Sequence, residues 1–206
     1  CNYEAQIKVL NRGGKLSTGK DTITVANADS VVLLIAVGTN YELSSRVFKE
    51  RTNSKKLDAD SFPHAKVTER IRSAEKKGFD QLRSDHLVDY QNLFSRTQVD
   101  FGREVSPLPT KELLAEYKQG KTDAYLEELF FQYGRYLLIA SSRKGTLPTG
   151  LQGVWTPYIE TPWTGGYWHN INVQMNYWGA CSANLAETFL PYIEYFQAYW
   201  PEAQKK

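Results

Sequence analysis

GTLPTGLQGVWTPYIETPWTGGYWHNINVQMNYW, residues 145–178, is the stretch on which the interpretation of the whole chain depends. It holds four of the five tryptophans and ends in a polar cluster between His169 and Asn176. Loops that only connect helices or strands are short and rich in Gly, Pro, Asn, Asp and Ser. A long segment filled with aromatic rings is more typical of a functional loop, and the alternative is a loop packed into the core.

The composition is that of an ordinary globular protein and excludes several classes of function. Of the 206 residues, 41% are hydrophobic and 23% are charged, and the net charge of +2 gives no reason to expect a nucleic-acid partner. No apolar run approaches the roughly 18 residues of a membrane span. Cys1 and Cys181 do not indicate a disulfide framework, and the three histidines are too scattered to predict a metal site. We therefore predict no cofactor.

The first residues, CNYEAQIKVL, lack the basic start and the apolar core of a signal peptide. The sequence opens without Met and directly in a strand-like alternation. We interpret it as a piece of a longer protein, and the residues themselves leave the compartment open.

Residues 3–37 are predicted to form antiparallel sheet. Apolar and polar residues alternate over 3–9 and 21–28, and 31–37 is a continuous apolar run of the kind found in a buried sandwich strand. Gly14–Lys20 has much of the pattern of a phosphate-binding loop, but Asp21 stands where that loop has Ser or Thr and no helix follows. A hairpin loop is therefore the prediction.

The rest of the chain is predicted to be mainly helical. Apolar residues recur at three- and four-residue spacing over the helices predicted at 65–94, 111–119, 123–141 and 175–180. The polar residues 40–64 are predicted to be a solvated loop. His86 lies on an apolar stripe and is predicted to be packed. Asn184 and Glu187 have the spacing of a capping box before a last helix.

Asn170 and Asn172 are the strongest candidates for chemistry. If the chain is extended there, side chains two residues apart point to the same side. An amide does not titrate near neutral pH, so neither side chain is a general base, but a pair of amides can hold a water molecule in one orientation. The alternative is that both side chains only satisfy backbone groups of the loop.

Other chemistries have less support. No Gly-x-Ser-x-Gly elbow is present. A carboxylate pair for glycoside hydrolysis would have to come from Glu160, Glu187 or Glu194. Capping accounts for Glu187 and a solvent-facing helix position for Glu194, so Glu160 is the remaining candidate.

The strings SSRKGTLPTGLQGVW, NINVQMNYW and NLAE resemble the start of the catalytic domain of glycoside hydrolase family 95. Upstream, HLVDYQNLFSRTQVDFG resembles the segment that links the β-sandwich of that family to its helical barrel. The family contains inverting α-L-fucosidases and some α-L-galactosidases. The resemblance implies an α+β fold, with the C-terminal part of an antiparallel β-sandwich at 1–64, a helical linker at 65–108 and the first helices of an (α/α)6 barrel at 109–206.

The resemblance also implies a function. Family members are exo-glycosidases that remove terminal α-L-fucosyl or α-L-galactosyl residues from glycans, which suggests an extracellular or periplasmic location. Two asparagines of an Asn-x-Asn motif position the attacking water in the family, and their matches are Asn170 and Asn172. The general acid of the family is a glutamate whose match lies beyond Lys206. We therefore expect this chain to need the remainder of the catalytic domain and to be inactive alone.

Two departures from the family pattern lie near the expected sugar. Gly179-Ala180-Cys181 stands where the family usually has Pro-Ala-Glu, and Trp168 and His169 differ from the commonest residues. The choice between fucose and galactose is therefore open. His169 is a candidate to hydrogen-bond a sugar hydroxyl, and Trp163 and Trp168 are candidates to pack on the sugar, with a core role as the alternative for each. For the whole chain the alternative is a non-catalytic carbohydrate-binding or structural module.

Overall fold

The computed structural model describes residues 1–102 and 104–205. The strands are β1 (Tyr3–Arg12), β2 (Lys15–Thr18), β3 (Ile23–Ala26) and β4 (Ser30–Thr39), and the α-helices are α1 (Ser45–Lys49), α2 (Asn53–Lys56), α3 (His64–Phe94), α4 (Thr110–Lys118), α5 (Ala124–Ser141), α6 (Asn172–Ser182) and α7 (Leu190–Ala203). The chain divides into two compact units, Cys1–Val88 with Ala198–Lys206 and Asp89–Gln197. The domain boundaries predicted after residues 64 and 108 stay predictions.

The predicted antiparallel sheet is confirmed. β1 pairs with β4 in a continuous antiparallel ladder from Tyr3 opposite Thr39 to Arg12 opposite Ser30. β2 and β3 pair as a hairpin, and the backbone N–H of Gly19 donates to Thr22 O at 2.8 Å in its turn. The segment with the partial phosphate-loop pattern is thus a hairpin, as predicted.

The face of the β1–β4 ladder that packs on α3 carries polar side chains on β1 and apolar ones on β4. Three side chains of β1 reach that helix: Glu4 contacts His64 at 2.9 Å, Gln6 contacts Thr68 at 2.8 Å and Lys8 contacts Glu75 at 3.2 Å. Close approach is possible because position 38 is Gly, since a Cβ there would lie 2.7 Å from Cγ2 of the fully buried Val67. The sheet therefore contacts the helix through polar side chains of β1 and through apolar residues of β4 that include the buried Leu34.

The other face of the ladder is apolar and largely exposed. Ile7, Leu33, Ile35 and Val37 are each more than half exposed, whereas Leu34, on the opposite face, is 8% exposed. The prediction of a fully buried strand at 31–37 is therefore wrong for this chain. The apolar run has one face against α3, and part of the other borders a cavity shared with the β2–β3 hairpin.

The predicted helices are confirmed, with corrections at their edges. Gly78, at φ 75° and ψ 166°, interrupts α3, and the Asp123 carboxylate caps α5 by accepting the Leu126 N–H at 2.8 Å. The predicted loop at 40–64 instead contains α1 and α2. His86, which was predicted to be packed, is exposed on α3. Within the described residues, no helix has the length and apolarity needed to cross a membrane.

Asn184 ends a helix rather than beginning one, which corrects the predicted capping box. Its φ is 56°, the left-handed conformation that Asn tolerates, and its N–H donates to Cys181 O at 3.1 Å. The next N–H, of Leu185, donates to Ala180 O at 2.7 Å. This pair of bonds is the Schellman arrangement that terminates α6, and it places Leu185 in the core.

The core of the second unit surrounds a buried guanidinium. Leu93, Ile139, Ala183 and Leu185 form its apolar centre, and Arg135 of α5 is only 3% exposed. The Arg135 fork donates to the carbonyls of Leu93 at 3.1 Å, Phe94 at 2.7 Å and Thr97 at 2.6 Å. Burial lowers the pKa of Arg135, but an arginine starts so far above neutrality that it remains a cation.

Arg135 thus satisfies carbonyls that the end of α3 leaves open. The last carbonyls of a helix have no intrahelical donor and carry partial negative charge. The guanidinium supplies both the missing N–H donors and a positive charge opposite the partial negative charge of these carbonyls. This contact fixes where the chain leaves α3 and packs that point against α5.

Replacing Arg135 with Met is expected to destabilise the second unit by about 3 kcal/mol, because the Phe94 carbonyl loses its donor and the Leu93 and Thr97 carbonyls keep only long hydrogen bonds of 3.4 Å. Urea denaturation of the full-length protein, followed by tryptophan fluorescence, measures the change. Arg143→Met is the matched control, since the Arg143–Asp89 ion pair is partly exposed and should contribute less than about 1 kcal/mol. Equal effects of the two substitutions would contradict the role given to Arg135.

Candidate active site

The aromatic segment (residues 145–178) contains two turns and a short 3-10 helix before α6 begins. Gly150 and Gly153 exchange two backbone hydrogen bonds of 3.1 Å, a short 3-10 helix follows at Pro162–Gly165, and residues 169–171 form a turn. The buried side chains of α6 are Val173, Tyr177 and Ala180. The helix therefore anchors the end of the segment by one apolar face.

The hydroxyl of Tyr177 joins three parts of the chain. It accepts the backbone N–H of Thr149 at 2.9 Å and lies 2.7 Å from Ser142 Oγ, which donates to Thr188 O at 2.8 Å. Because Ser142 uses its proton on Thr188, Tyr177 is the donor in the pair with Ser142. Burial raises the pKa of Tyr177, so the hydroxyl keeps its proton. We call this chain of bonds the Tyr177 relay.

A cavity of about 300 Å³ lies beside α5, the Gly150–Gly153 turn and α6. Trp155 and Asn176 are among its lining residues. The Asn176 amide donates to Gly150 O at 2.8 Å, which ties the turn to α6. None of the predicted site residues lines this cavity.

Asn170 and Asn172 lie at the start of α6, not in an extended segment as predicted. Asn170 is in the turn and Asn172 is the first residue of the helix. The extended prediction failed because the helix begins three residues earlier than the predicted Met175. Both side chains are exposed, and neither amide has a hydrogen-bond partner among the described residues. They are therefore free to bind a water molecule or a ligand.

Trp163 and Trp168 form an exposed pair next to this turn. Their ring centroids are 5.9 Å apart at an interplanar angle of 81°, and the side chains are 68% and 46% exposed. Both residues are left-handed, at φ 59° and 49°, as is Thr164 at 54°. Such conformations are uncommon outside Gly and cluster at functional sites. The pair offers an apolar surface to solvent.

His169 lies differently from the two tryptophans. Its ring packs among Tyr167, Tyr195 and Phe196, with centroid distances of 6.0, 5.3 and 5.1 Å. Both ring nitrogens are buried without a hydrogen-bond partner in the described chain. Burial lowers the pKa of His169 from its ordinary value of about 6.5, so the ring is neutral at pH 7. Its predicted contact with a sugar hydroxyl stays a prediction, and that contact requires the ring to be uncovered.

The carboxylate of Glu187 forms an ion pair with Arg96. It contacts Arg96 Nη1 at 2.6 Å, and a hydrogen bond from its own backbone N–H, followed by one from Arg96, lowers its pKa. A lowered pKa suits an ion-pair partner and not a general acid. Glu160, the other carboxylate considered from the sequence, is exposed in the aromatic segment.

Gln174 is a residue to which the sequence analysis assigned no role. Its Nε2 donates to the backbone oxygen of His169, while its Oε1 is buried without a partner among the described residues. One signal in the sequence could have identified it. Gln174 is the third residue of α6, where Gln often supports a helix start, and the residue before the helix, Ile171, has no side-chain oxygen to cap it.

Replacing Tyr177 with Phe is expected to cost about 2 kcal/mol of stability, because the buried Thr149 N–H loses its acceptor and the Ser142 oxygen loses a donor. Urea denaturation of the full-length protein provides the measurement. Tyr158→Phe is the control, because Tyr158 is 62% exposed and should tolerate the change within about 0.5 kcal/mol. A Tyr177→Phe protein as stable as this control would show that the relay is dispensable.

Known proteins similar to this chain cover nearly all of it. The chain is 36% identical over 204 residues to a probable alpha-fucosidase A of Aspergillus niger, which is 96% of this chain and 25% of the relative. It is 35% identical over 199 residues to alpha-L-fucosidase 2 of Arabidopsis thaliana, 94% of this chain and 22% of the relative. The chain thus spans about a quarter of the length of these curated relatives.

A family comparison gives the same answer and extends through the candidate site. The sequence pattern of the glycosyl hydrolase family 95 catalytic domain matches residues 78–206, which include the exposed amides at the start of α6 and the tryptophan pair. The chain therefore belongs to glycosyl hydrolase family 95.

Proposed function

We propose that the full-length protein hydrolyses terminal α-L-fucosyl, or α-L-galactosyl, residues of glycans with inversion, and that Asn170 and Asn172 position the attacking water. Family membership and the names of the relatives support the reaction class and the fucoside substrate. The single structural observation that supports the role of the asparagines is that two exposed amides without protein partners stand at the start of α6. An amide with no structural partner is available for a ligand.

The chemistry suits a neutral pair that orients water. Each amide oxygen accepts a hydrogen bond from the water, while each NH₂ group donates to a neighbouring acceptor. Fixing one water in line with the anomeric carbon lowers the barrier by removing orientational freedom. Inversion also needs an acid on the opposite face of the sugar, with the two catalytic groups about 6.5–9.5 Å apart. We assign that acid to another part of the full-length protein, since Glu187 is occupied by Arg96.

We also propose that the full-length protein contains the complete β-sandwich and the complete (α/α)6 barrel. The apolar face of the β1–β4 ladder is what one layer of a sandwich presents to the other, so we infer that further strands of the full-length protein cover it. We likewise infer that α4 to α7 are completed by further helices into the (α/α)6 barrel, and that these helices enclose the exposed asparagines in a pocket.

The tryptophan pair is proposed to hold the sugar. Trp163 and Trp168 expose ring surface beside Asn170, and aromatic rings pack well against the apolar C–H face of a sugar ring. This observation also favours a second candidate function, a carbohydrate-binding module without hydrolysis. The two candidates differ in whether loss of the asparagines removes turnover.

Asn170→Ala and Asn172→Ala are each expected to reduce turnover of a nitrophenyl α-L-fucoside by at least 100-fold in the full-length protein, because the water loses its orientation. The melting temperature should stay within about 2 °C, since neither amide has a protein partner that the substitution would leave unpaired. Proton NMR of the first product formed by the unsubstituted protein should show β-L-fucose, as inversion requires.

Asn92→Ala is the matched control, because Asn92 is also an exposed asparagine but lies in α3. It should leave kcat unchanged. Sugar binding without turnover in the unsubstituted protein would favour the carbohydrate-binding alternative. Full activity of either site variant would exclude the proposed role of that asparagine.

Trp163→Ala is expected to raise KM about tenfold, equivalent to about 1.4 kcal/mol, with little change in kcat. The reason is that an apolar platform binds the sugar similarly in the ground state and the transition state. Initial rates over a range of fucoside concentrations give both constants. An unchanged KM would remove Trp163 from the sugar-binding surface.

A further inference from the structure

The turn that carries Asn170 lacks the usual supports of a helix start. Trp168, which immediately precedes the turn at 169–171, is left-handed at φ 49°. Ile171, the last residue of the turn, has the unusual backbone angles φ −159° and ψ −35°. Ile171 is also the residue that precedes α6, and its apolar side chain cannot cap the first N–H groups. The direction of the Asn170 side chain therefore depends on some other contact.

Gln174 supplies such a contact. Its Nε2 donates to the oxygen of His169, so the bond reaches the peptide unit that joins His169 to Asn170. Because Gln174 belongs to the first turn of α6, the bond ties the Asn170 turn to the helix that bears Asn172. The two asparagines are thereby held relative to each other.

The chemistry of this contact distinguishes Gln from Glu. At the third position of a helix, Glu or Gln commonly uses an oxygen to accept a backbone N–H at the helix start. Here the oxygen is buried without a partner in the described chain, and the NH₂ group makes the contact. A carboxylate has no N–H to donate. An unpaired buried oxygen is unfavourable for stability. The presence of Gln at position 174 is therefore better explained by the His169 carbonyl that its NH₂ group binds than by a gain in stability.

We propose that Gln174 is a positioning residue that sets the direction of Asn170 through the His169 carbonyl. The inference rests on the proposed function, because it needs Asn170 to orient the attacking water. Loss of the bond lets the turn relax while the buried face of α6 stays in place, since Val173, Tyr177 and Ala180 do not depend on Gln174. A small displacement of a positioning group is enough to lower a rate about 100-fold.

The test compares Gln174→Met and Gln174→Glu in the full-length protein. Met removes both the donor and the unpaired oxygen, and Glu keeps the shape but removes the donor. Both are expected to lower kcat about 10- to 100-fold and to change KM less than twofold. Gln174→Met should leave the melting temperature nearly unchanged, since it removes the buried orphan oxygen together with the donor. Gln174→Glu should lower it, because one carboxylate oxygen would lie against the His169 oxygen and the other would be buried without a donor.

Two further measurements separate positioning from a general structural role. Gln81→Met, which removes an exposed amide bonded to Asp85 at 2.7 Å, should leave kcat unchanged. In an Asn170→Ala background, Gln174→Met should add no further loss, because a residue that acts through Asn170 has nothing left to position. Additive losses in this cycle would overturn the proposal.

The remaining outcomes distinguish this inference from the proposed function. Wild-type kcat in both Gln174 variants, together with an inactive Asn170→Ala protein, would refute the positioning role alone. An active Asn170→Ala protein would refute the proposed function itself. If Gln174→Met fails to fold while Gln174→Glu folds and keeps wild-type kcat, the contact is structural and the proposal is wrong.

Discussion

The second unit depends on one buried hydroxyl, that of Tyr177. Its relay joins Ser142 at the end of α5, Thr149 in the aromatic segment and Thr188 beyond α6. These segments have no regular backbone pairing with one another, so side-chain hydrogen bonds must fix their relative positions. An apolar residue in place of Tyr177 could fill the space but could not accept the Thr149 N–H. The aromatic segment is ordered against α6 because this relay satisfies groups that would otherwise be buried and unpaired.

Arg135, in the C-terminal half of α5, also satisfies backbone groups that are distant in sequence. A buried arginine is unusual, and it is tolerated here because the backbone supplies carbonyl acceptors from the end of α3 and the residues after it. Together with the Schellman termination of α6, which buries Leu185, this contact determines how the chain leaves α3 and α6. The start of α6, where the candidate site lies, is therefore positioned by polar contacts at the ends of helices as well as by the apolar core.

The sequence predicted the elements of this fold well and their ends poorly. Periodicity identified the sheet and the main helices because it reports directly which side chains share a face. It could not identify the role of Asn184, because Asn suits a left-handed helix end as well as a helix start. Nor could it place Asn170 and Asn172, since α6 begins without a capping residue, and nothing in the sequence indicates that Gln174 contacts the His169 carbonyl. The roles of Arg135 and Tyr177 were equally hidden, because both depend on backbone groups distant in sequence.

Several of the features that the sequence could not predict lie together, and this bears on the choice between a core loop and a functional loop. Trp163, Thr164 and Trp168 hold left-handed conformations, each unfavourable by about 1–2 kcal/mol for a residue with a Cβ. His169 and Gln174 add buried polar atoms without partners in the described chain. A loop selected only for packing would avoid these terms, whereas a site that must present rings and amides to a ligand accepts them. Strain, exposed aromatic surface and unpaired polar groups concentrated within about a dozen residues therefore favour the functional interpretation of the aromatic segment.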